Sequence, residues 1–428
     1  MTNIDTKLKK LDQFLNLIYI FDIKCNMNNE KLKEAEIKFG NPLYVYDLSV
    51  IENQFKELNN GFRKISNFKI NYAVKSLSNI SILKFMKRLG TGLDTVSIEE
   101  VRIGLSCGFK EDDITFTPNG VSFKEIEEAY NLKVKINLDS LESIKDFSKK
   151  YNSYPISIRI NPNILAGGNK NVSVGHNQSK FGIPLDYIDE IIEMENKNKI
   201  IIEGIHIHTG SDIVKLDKFE KAFKKIFLVA KKFKNIKILN FGGGLKVPYF
   251  PKDSKTNILN LSNSIQALIK DNPFVEKNNV KIIFEPGKFL VGESGYFLTK
   301  VNYVKKTPNK VFIQLNSGFN HFIRPIFYNS FHEIINISNP NDKKYEYDVV
   351  GYICEQDNFA LKRKISKVRK GDVLCFKNAG AYCFSMSSNY NCRVKPAEVC
   401  IWENKLMKIR ERENLDDILN GQIDIFNI

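Results

Sequence analysis

No stretch of this sequence approaches the ~18–20 consecutive apolar residues that a membrane span needs. The nearest approach at the N-terminal end, Phe14–Phe21, is short and is followed by Asp22 and Lys24 without a small-residue cleavage site. No membrane contact is expected, and a cytoplasmic location is. The seven cysteines include no CxxC pair and no framework spacing, which points to reduced thiols in a cytosol-like compartment. The five histidines include no HExxH, so no metal site is expected. Runs of five or six basic residues are also missing, although the net charge is +15. Only ten of the 64 basic residues are arginine, and the lysine excess comes with abundant Asn and Ile. That is a compositional bias, whereas recognition of phosphates and bases favours arginine forks. Nucleic-acid binding is therefore not expected.

What is present is a chain of 428 residues, long enough for two domains, one of them barrel-sized. Pro42–Asp47 reads as a strand and Leu48–Asn59 as a helix. Eight β-type runs follow: Phe68–Lys75, Gly92–Ser97, Asp113–Pro118, Val134–Ser140, Ile156–Pro162, Gly204–Gly210, Ile236–Gly244 and Lys281–Gly287. Amphipathic stretches such as Ile80–Leu89, Phe123–Tyr130 and Lys218–Phe233 separate most of them. Eight consecutive βα units predict an α/β fold, a closed (β/α)8 TIM-like barrel, rather than an open doubly wound sheet, and no GxGxxG follows the first strand. The polar stretch Asn161–Lys180 is long enough to predict a functional lid. After Gly287 short β-rich segments dominate, predicting an all-β C-terminal domain. The expected boundaries are a weakly ordered extension over 1–26, a strand region over 27–47 that joins the β domain, the barrel over 48–292, the β domain over 293–410 and a charged tail over 411–428.

Several runs stop at residues able to handle a phosphate or a carbonyl, and strand ends in a parallel barrel converge at one mouth. Lys75 closes Asn71–Lys75; it is either a surface lysine at a sheet end or a desolvated amine of depressed pKa that attacks an aldehyde. Gly242, Gly243 and Gly244 form either a plain tight turn or a cradle whose N–H groups face a phosphate. Glu285, ahead of Pro286 and Gly287, is either half of a structural ion pair or a carboxylate that contacts a pyridine nitrogen. His208 ends the sixth run, where its imidazole could stack on a ring. His206 shares its strand face, so a metal pair is conceivable, but no third ligand is evident. A lysine, an anion cradle and a carboxylate in one mouth are the parts needed to hold and use pyridoxal phosphate.

Tyr72-Ala73-Val74-Lys75, His208-Thr209-Gly210-Ser211, Gly242-Gly243-Gly244 and Glu285-Pro286-Gly287, in this order, resemble the fold-type III pyridoxal phosphate decarboxylases. The likeness covers residues 30 to 410. Within it, Ile323–Tyr328, Ile353-Cys354-Glu355 and Ala379-Gly380-Ala381-Tyr382 are similar to the diaminopimelate decarboxylase branch. The resemblance implies pyridoxal 5'-phosphate as cofactor, held covalently by Lys75. It implies Asp94 and Arg159 as supports at the cofactor end, Ser211, Gly243, Gly244 and Tyr382 at the phosphate, and Glu285 at the ring nitrogen. Arg324 and Tyr328 would grip a substrate carboxylate, with Lys288 and Tyr382 beside them. Cys354 would donate a proton and Glu355 would meet the distal amine, both reaching the site from the partner subunit of a homodimer. The implied reaction converts meso-2,6-diaminopimelate, a small amino acid, to L-lysine and CO2. Arg324-Pro-x-x-Tyr favours a substrate with a distal carboxylate, because a buried guanidinium without a partner is costly. The alternatives are a decarboxylase for ornithine, arginine or carboxynorspermidine on the same scaffold, and a non-catalytic pyridoxal phosphate carrier. Many relatives have arginine where this chain has Lys288, which keeps the charge and loses the fork; Lys246 and Tyr249 are candidates to compensate.

Overall fold

Short polar side chains start most of the helices, each accepting from an N–H that the first turn leaves without an intrahelical partner. In the computed structural model, which describes residues 27–164, 175–176, 178–214, 216–250 and 252–426, Asn28 caps α1 (Asn29–Phe39) and Asp47 caps α2 (Leu48–Gly61). Asn79 caps α3 (Ile80–Leu89) and Ser97 caps α4 (Ile98–Ser106). Further along, α5 (Phe123–Asn131) precedes α6 (Leu141–Lys150), which Ser140 caps. The series continues with α7 (Ile188–Asn196), α8 (Leu216–Ala230) and α9 (Ile258–Lys270), the last capped by Asn257. The expected N-terminal extension over 1–26 lies outside the described residues. No helix among the described residues is long and apolar enough to cross a membrane.

After β1 (Leu43–Asp47), the strands between these helices are β2 (Phe68–Ala73), β3 (Gly92–Thr95), β4 (Ile114–Phe116), β5 (Lys135–Leu138), β6 (Pro155–Asn161), β7 (Ile183–Pro184), β8 (Ile201–Ile207), β9 (Ile238–Asn240) and β10 (Lys281–Phe284). They pair in parallel in the order β5-β4-β3-β2-β10-β9-β8-β6, and β5 also pairs with β6. The ring is closed, as expected for a (β/α)8 barrel. The two-residue β7 flanks β6 and was not separated in the sequence. It follows the polar stretch, of which 165–174 and 177 lie outside the described residues. Phenylalanines seal the strands against the helices: Phe62 stacks on Phe68 at 4.6 Å, and Phe223 meets Phe241 at 4.5 Å. Both Phe62 and Phe223 are almost wholly buried, and such burial stabilises by about 1.5–3 kcal/mol per side chain.

The barrel interior departs from the branched aliphatic filling common in this architecture. Hydrogen bonds join next-nearest strands, which only side chains crossing the interior can do: Asn71 on β2 to Thr115 on β4, and Asn137 on β5 to His206 on β8. This polar interior is only partly satisfied: Asn71 Oδ1, Asn137 Oδ1 and His206 Nε2 are buried with no hydrogen-bond partner among the described residues.

The second sheet contains β1, β11 (Gly295–Lys306), β12 (Val311–Leu315), β13 (Ile334–Asn336), β14 (Lys344–Val350), β15 (Asn358–Ser366), β16 (Val373–Lys377), β17 (Ala397–Trp402) and β18 (Lys405–Arg410). Its order is β15-β14-β12-β11-β1-β17-β18, with β16 bridging β11 and β13. β1 sits between β11, antiparallel, and β17, parallel. This β-rich body docks on the barrel mouth: Tyr382 N–H donates to the Ser76 carbonyl at 2.9 Å and Asn378 to the Pro248 carbonyl at 2.8 Å.

Candidate active site at the barrel mouth

β2 ends at Ala73, and a 3-10 turn over Val74–Ser76 carries Lys75 past the strand end rather than within it. Ser76 locks that turn, its hydroxyl donating to the Ala73 carbonyl at 2.7 Å and to Tyr72 Oη at 3.0 Å. Gly287 packs directly on it; a methyl group there would come within 3.0 Å of Ser76 Oγ. Lys75 Nζ reaches Asp94 Oδ2 at 3.0 Å. The expectation of a depressed amine is overturned. Burial works to lower the Lys75 pKa, but Asp94, with Tyr382 and Glu285 behind it, holds the ammonium above its ordinary value.

The triple-glycine bend follows β9 directly. Gly242 and Gly244 have φ of +64° and +95°, in the left-handed region, and a methyl group on Gly243 would come within 2.5 Å of the Glu285 carbonyl oxygen. Only glycine allows this approach. Asn240 Oδ1 accepts from Gly242 N–H at 2.9 Å, and His208 Nδ1 accepts from Gly243 N–H at 3.1 Å. Burial, then Arg159 and Lys75, hold His208 well below its usual pKa, so its ring is neutral and Nδ1 is free to accept. Ser211 follows from the β8 side, three residues beyond His208.

Glu285 follows β10 and is buried. Asn240 Nδ2 donates to its Oε1 at 2.5 Å, and His206 Nε2 lies 3.2 Å from its Oε2. Burial works to raise its pKa, but His206 and Asn240 outweigh that and hold it down to about 2. Glu285 is ionised at any working pH.

The opposite wall is cationic and aromatic. Arg324 opens a one-turn helix, Arg324–Phe327, and is buried. Its guanidinium lies 5.4 Å from the Tyr328 ring, 5.7 Å from Tyr249 and 6.0 Å from Tyr382. It donates to Tyr249 Oη at 3.2 Å and Ser330 Oγ at 3.3 Å, while its buried Nε has no hydrogen-bond partner among the described residues. Lys288, by contrast, is paired with Asp212 at 2.5 Å. Burial lowers the Lys288 pKa in spite of that carboxylate. Lys246 is engaged by Asp253 at 2.6 Å, and Tyr249 is turned to Arg324, so neither stands in for an arginine fork. Asp212 was missed in the sequence, although it directly follows Ser211.

All the residues singled out for the cofactor and substrate, apart from Gly242, Cys354 and Glu355, line one cavity of about 770 Å³. Arg159 lines it too, its guanidinium 4.8 Å from the Phe181 ring. Gly242 lies just behind the wall. Cys354 and Glu355 are exposed on the β-rich body and do not line it. There Asn391 donates to Cys354 Sγ at 3.3 Å, and Tyr390 Oη donates to Glu355 Oε1 at 2.5 Å. His206 on β8 and His208 just beyond it diverge, one to Glu285 and one to the glycine bend, and no metal-ligating cluster occurs among the described residues.

The donor set fits pyridoxal phosphate. Gly244 and Ser211 bring an N–H and an O–H group to the cavity lining, while the N–H groups of Gly242 and Gly243 are taken up by Asn240 and His208. Glu285 offers a negative charge suited to a protonated ring nitrogen, and Lys75 supplies an amine on the same cavity wall.

Comparison with known proteins agrees with this chemistry. Residues 48–292 match the family described as pyridoxal-dependent decarboxylase, pyridoxal binding domain. The chain is 35% identical to the diaminopimelate decarboxylase of Methanothermobacter thermautotrophicus, over 91% of this chain and 93% of that one. It is equally identical to the Aquifex aeolicus enzyme of that name, over 92% and 94%. The crystal structure of diaminopimelate decarboxylase from Helicobacter pylori complexed with L-lysine superposes with a TM-score of 0.82 at 32% identity, covering 92% of this chain and 98% of that one. With a barrel, cavity and charge order suited to the cofactor, and similarity over nine-tenths of its length, this chain belongs to the pyridoxal-dependent decarboxylases.

Proposed function

We propose that this chain decarboxylates meso-2,6-diaminopimelate to L-lysine and CO2, the last step of lysine biosynthesis. Arg324 carries the choice of substrate. It is a buried guanidinium with no carboxylate within 4.0 Å among the described residues, in a chain where Lys75, Lys246 and Lys288 are each answered by one. Leaving such a cation unmatched costs several kcal/mol, and a substrate bearing a second carboxylate supplies the match through two parallel hydrogen bonds. Ornithine has no such group. The diaminopimelate decarboxylases similar to this chain carry the same activity in their names, and two solved ones hold L-lysine.

When bound, pyridoxal phosphate supplies an acceptor for the electron pair left as the bond to CO2 breaks. Lys75 would hold the cofactor through its amine. Ser211, Gly243, Gly244 and Tyr382 would hold the phosphate, and the ionised Glu285 would favour a protonated ring nitrogen. His208, which lines the same cavity, would support the ring with a neutral imidazole. Arg324 and Tyr328 hold the distal carboxylate and thereby place the departing one. Cys354 returns a proton to the carbon that lost CO2, and Glu355 binds the distal ammonium. Both are supplied by the second subunit of a homodimer, because on their own chain they lie outside the cavity. The test is CO2 release from purified, cofactor-loaded protein offered meso-diaminopimelate, ornithine, arginine and carboxynorspermidine. Turnover of the diamino diacid at least tenfold above the others is expected; preference for any of the others overturns the assignment.

A further inference from the structure

Cys354 and Glu355 stand on the loop that joins β14 to β15, which leaves the β-rich body at Gly351 and returns to it at Asp357. The tip of that loop is exposed, and the side chains that touch it, Tyr390 and Asn391, lie on a second exposed turn. Hydrogen bonds that compete with water hold such a tip only weakly. The base is different. Asp357 is buried, and its carboxylate joins two segments of chain. Oδ1 accepts from Phe319 N–H at 2.9 Å, and Oδ2 accepts from Ile353 N–H at 3.2 Å. Backbone N–H groups only donate, so the direction of both bonds is fixed. Main-chain bonds run beside them: Gly351 N–H donates to the Asp357 carbonyl at 2.8 Å, and Tyr352 N–H to the Ser317 carbonyl at 3.1 Å.

The slot around this carboxylate is built from glycine. A methyl group on Gly318 would come within 2.6 Å of Asp357 Oδ2, and one on Gly351 would overlap the same oxygen. Two backbone N–H groups, rather than a cation, answer the charge. Burial raises the Asp357 pKa to about 6, the Ile353 and Phe319 N–H groups work against that rise, and Glu355 adds to it. A buried carboxylate is costly to desolvate, and an asparagine would fill the same space at lower cost. What the carboxylate adds is a second acceptor, so that both segments are held at once. An amide has one oxygen, and its NH2 would face an N–H.

We propose that Asp357 is a positioning residue that ties the 351–357 loop to the 317–320 segment and thereby fixes where Cys354 and Glu355 stand in the neighbouring active site. This rests on the roles and the shared site proposed above for those two residues. A proton donor works only within hydrogen-bond reach of its target, and a misplacement of about 1 Å can cost about a hundredfold in rate.

The test starts from Asp357→Asn in the full-length, cofactor-loaded protein. Amide hydrogen exchange at Ile353 or Phe319, whichever the new NH2 faces, should quicken by roughly tenfold or more, and kcat should fall by roughly tenfold or more. Unchanged exchange at both, or an unchanged kcat, overturns the proposal. In a Cys354→Ala background the same change should lower kcat by less than about threefold, because the group it positions is already gone. An equal factor in both backgrounds would mark a general structural loss and overturn the role. Mixed dimers locate the fault. Lys75→Ala should rescue Asp357→Asn, since the intact barrel then meets an intact loop from the other chain, and Cys354→Ala should not. Failure of that rescue, in dimers where Lys75→Ala does rescue Cys354→Ala, also overturns it. If Asp357→Asn does not fold, Gly351→Ala crowds the same oxygen and should give the same exchange and kcat changes; wild-type behaviour there counts against the clamp. Exchange is read without substrate, so full activity in Cys354→Ala would sink the assignment of Cys354 alone, while exchange at Ile353 still decides whether Asp357 holds the loop.

Discussion

Replacing Arg324 with methionine removes a buried cation of the cavity wall that, like Arg159, has no carboxylate within 4.0 Å among the described residues, and leaves a side chain of similar length among Tyr249, Tyr328 and Tyr382. Truncating one partner of a buried, hydrogen-bonded charge pair costs about 2–5 kcal/mol. At 1.36 kcal/mol per decade, that predicts a fall in kcat/KM for meso-diaminopimelate of about 30- to 5,000-fold. Because Arg324 is 6% exposed, water screens little of the interaction and the upper half of the range is expected. Product inhibition locates the loss. L-Lysine keeps the distal carboxylate and cadaverine has none. The inhibition constant of L-lysine should therefore rise in step with the loss of kcat/KM, while that of cadaverine should stay within about threefold of wild type. Arg324→Lys should recover part of the loss, because it restores charge without the planar fork. Folding should not suffer, since the change removes a buried charge with an unpartnered Nε; thermal unfolding of the loaded protein checks this. A kcat/KM within about threefold of wild type, or equal weakening of both inhibitors, would refute the role of Arg324.

Further outcomes are expected at the two ends of the site and in the β-rich body. Borohydride reduction followed by denaturation should leave the cofactor attached to the wild-type chain and none attached to Lys75→Ala, which should also release no CO2; a retained label would assign the link to another residue. Mixing inactive Lys75→Ala and Cys354→Ala proteins through an unfolding and refolding step should restore about a quarter of wild-type activity, since half the dimers are mixed and carry one intact site of two. No recovery, with mixed dimers demonstrated, would mean that the site is built within one chain. His332 is held down to about 3 by burial, followed by nearby Arg324. Its folded pKa lies below the unfolded value, so only the unfolded chain takes up this proton between about pH 6.5 and 3, and stability falls with falling pH by about 1.4 kcal/mol per unit across that window. His332→Gln should flatten that part of the acid limb in denaturant titrations; an unchanged slope would show that His332 ionises freely in the fold.

The barrel was legible because its pattern is local. Each apolar run, turn residue and amphipathic helix declares itself within ten or so residues, and the eight main barrel strands overlap the runs read from the sequence, although β8 begins three residues before its run and β6 one residue before its own. The ends were less sharp, as at Lys75, which closes an apolar run but sits in a 3-10 turn held by Ser76. Lysines were harder to judge. Desolvation alone suggested a depressed amine at position 75, whereas Asp94, on another strand, reverses the shift. The fate of Lys288 was likewise hidden, since its partner Asp212 lies 76 residues away. His206 looked like half of a metal pair because alternation puts it on the face of His208. What divides them is the closure of the barrel, which brings Asn137 and Glu285 to one and Gly243 to the other.

β1 completes a sheet whose other strands are made much later. Its antiparallel edge waits for Gly295–Lys306 and its parallel edge for Ala397–Trp402. At 5–20 residues per second, the ribosome takes on the order of tens of seconds to deliver both. For that interval Tyr44 and Tyr46, fully buried in the finished protein, stand on an unpaired ribbon beside a barrel that is already able to close. The body that brings Arg324 and Tyr382 to the cavity is thus assembled last. A fragment ending with the barrel would leave the mouth unlidded and β1 open to strand exchange with its neighbours.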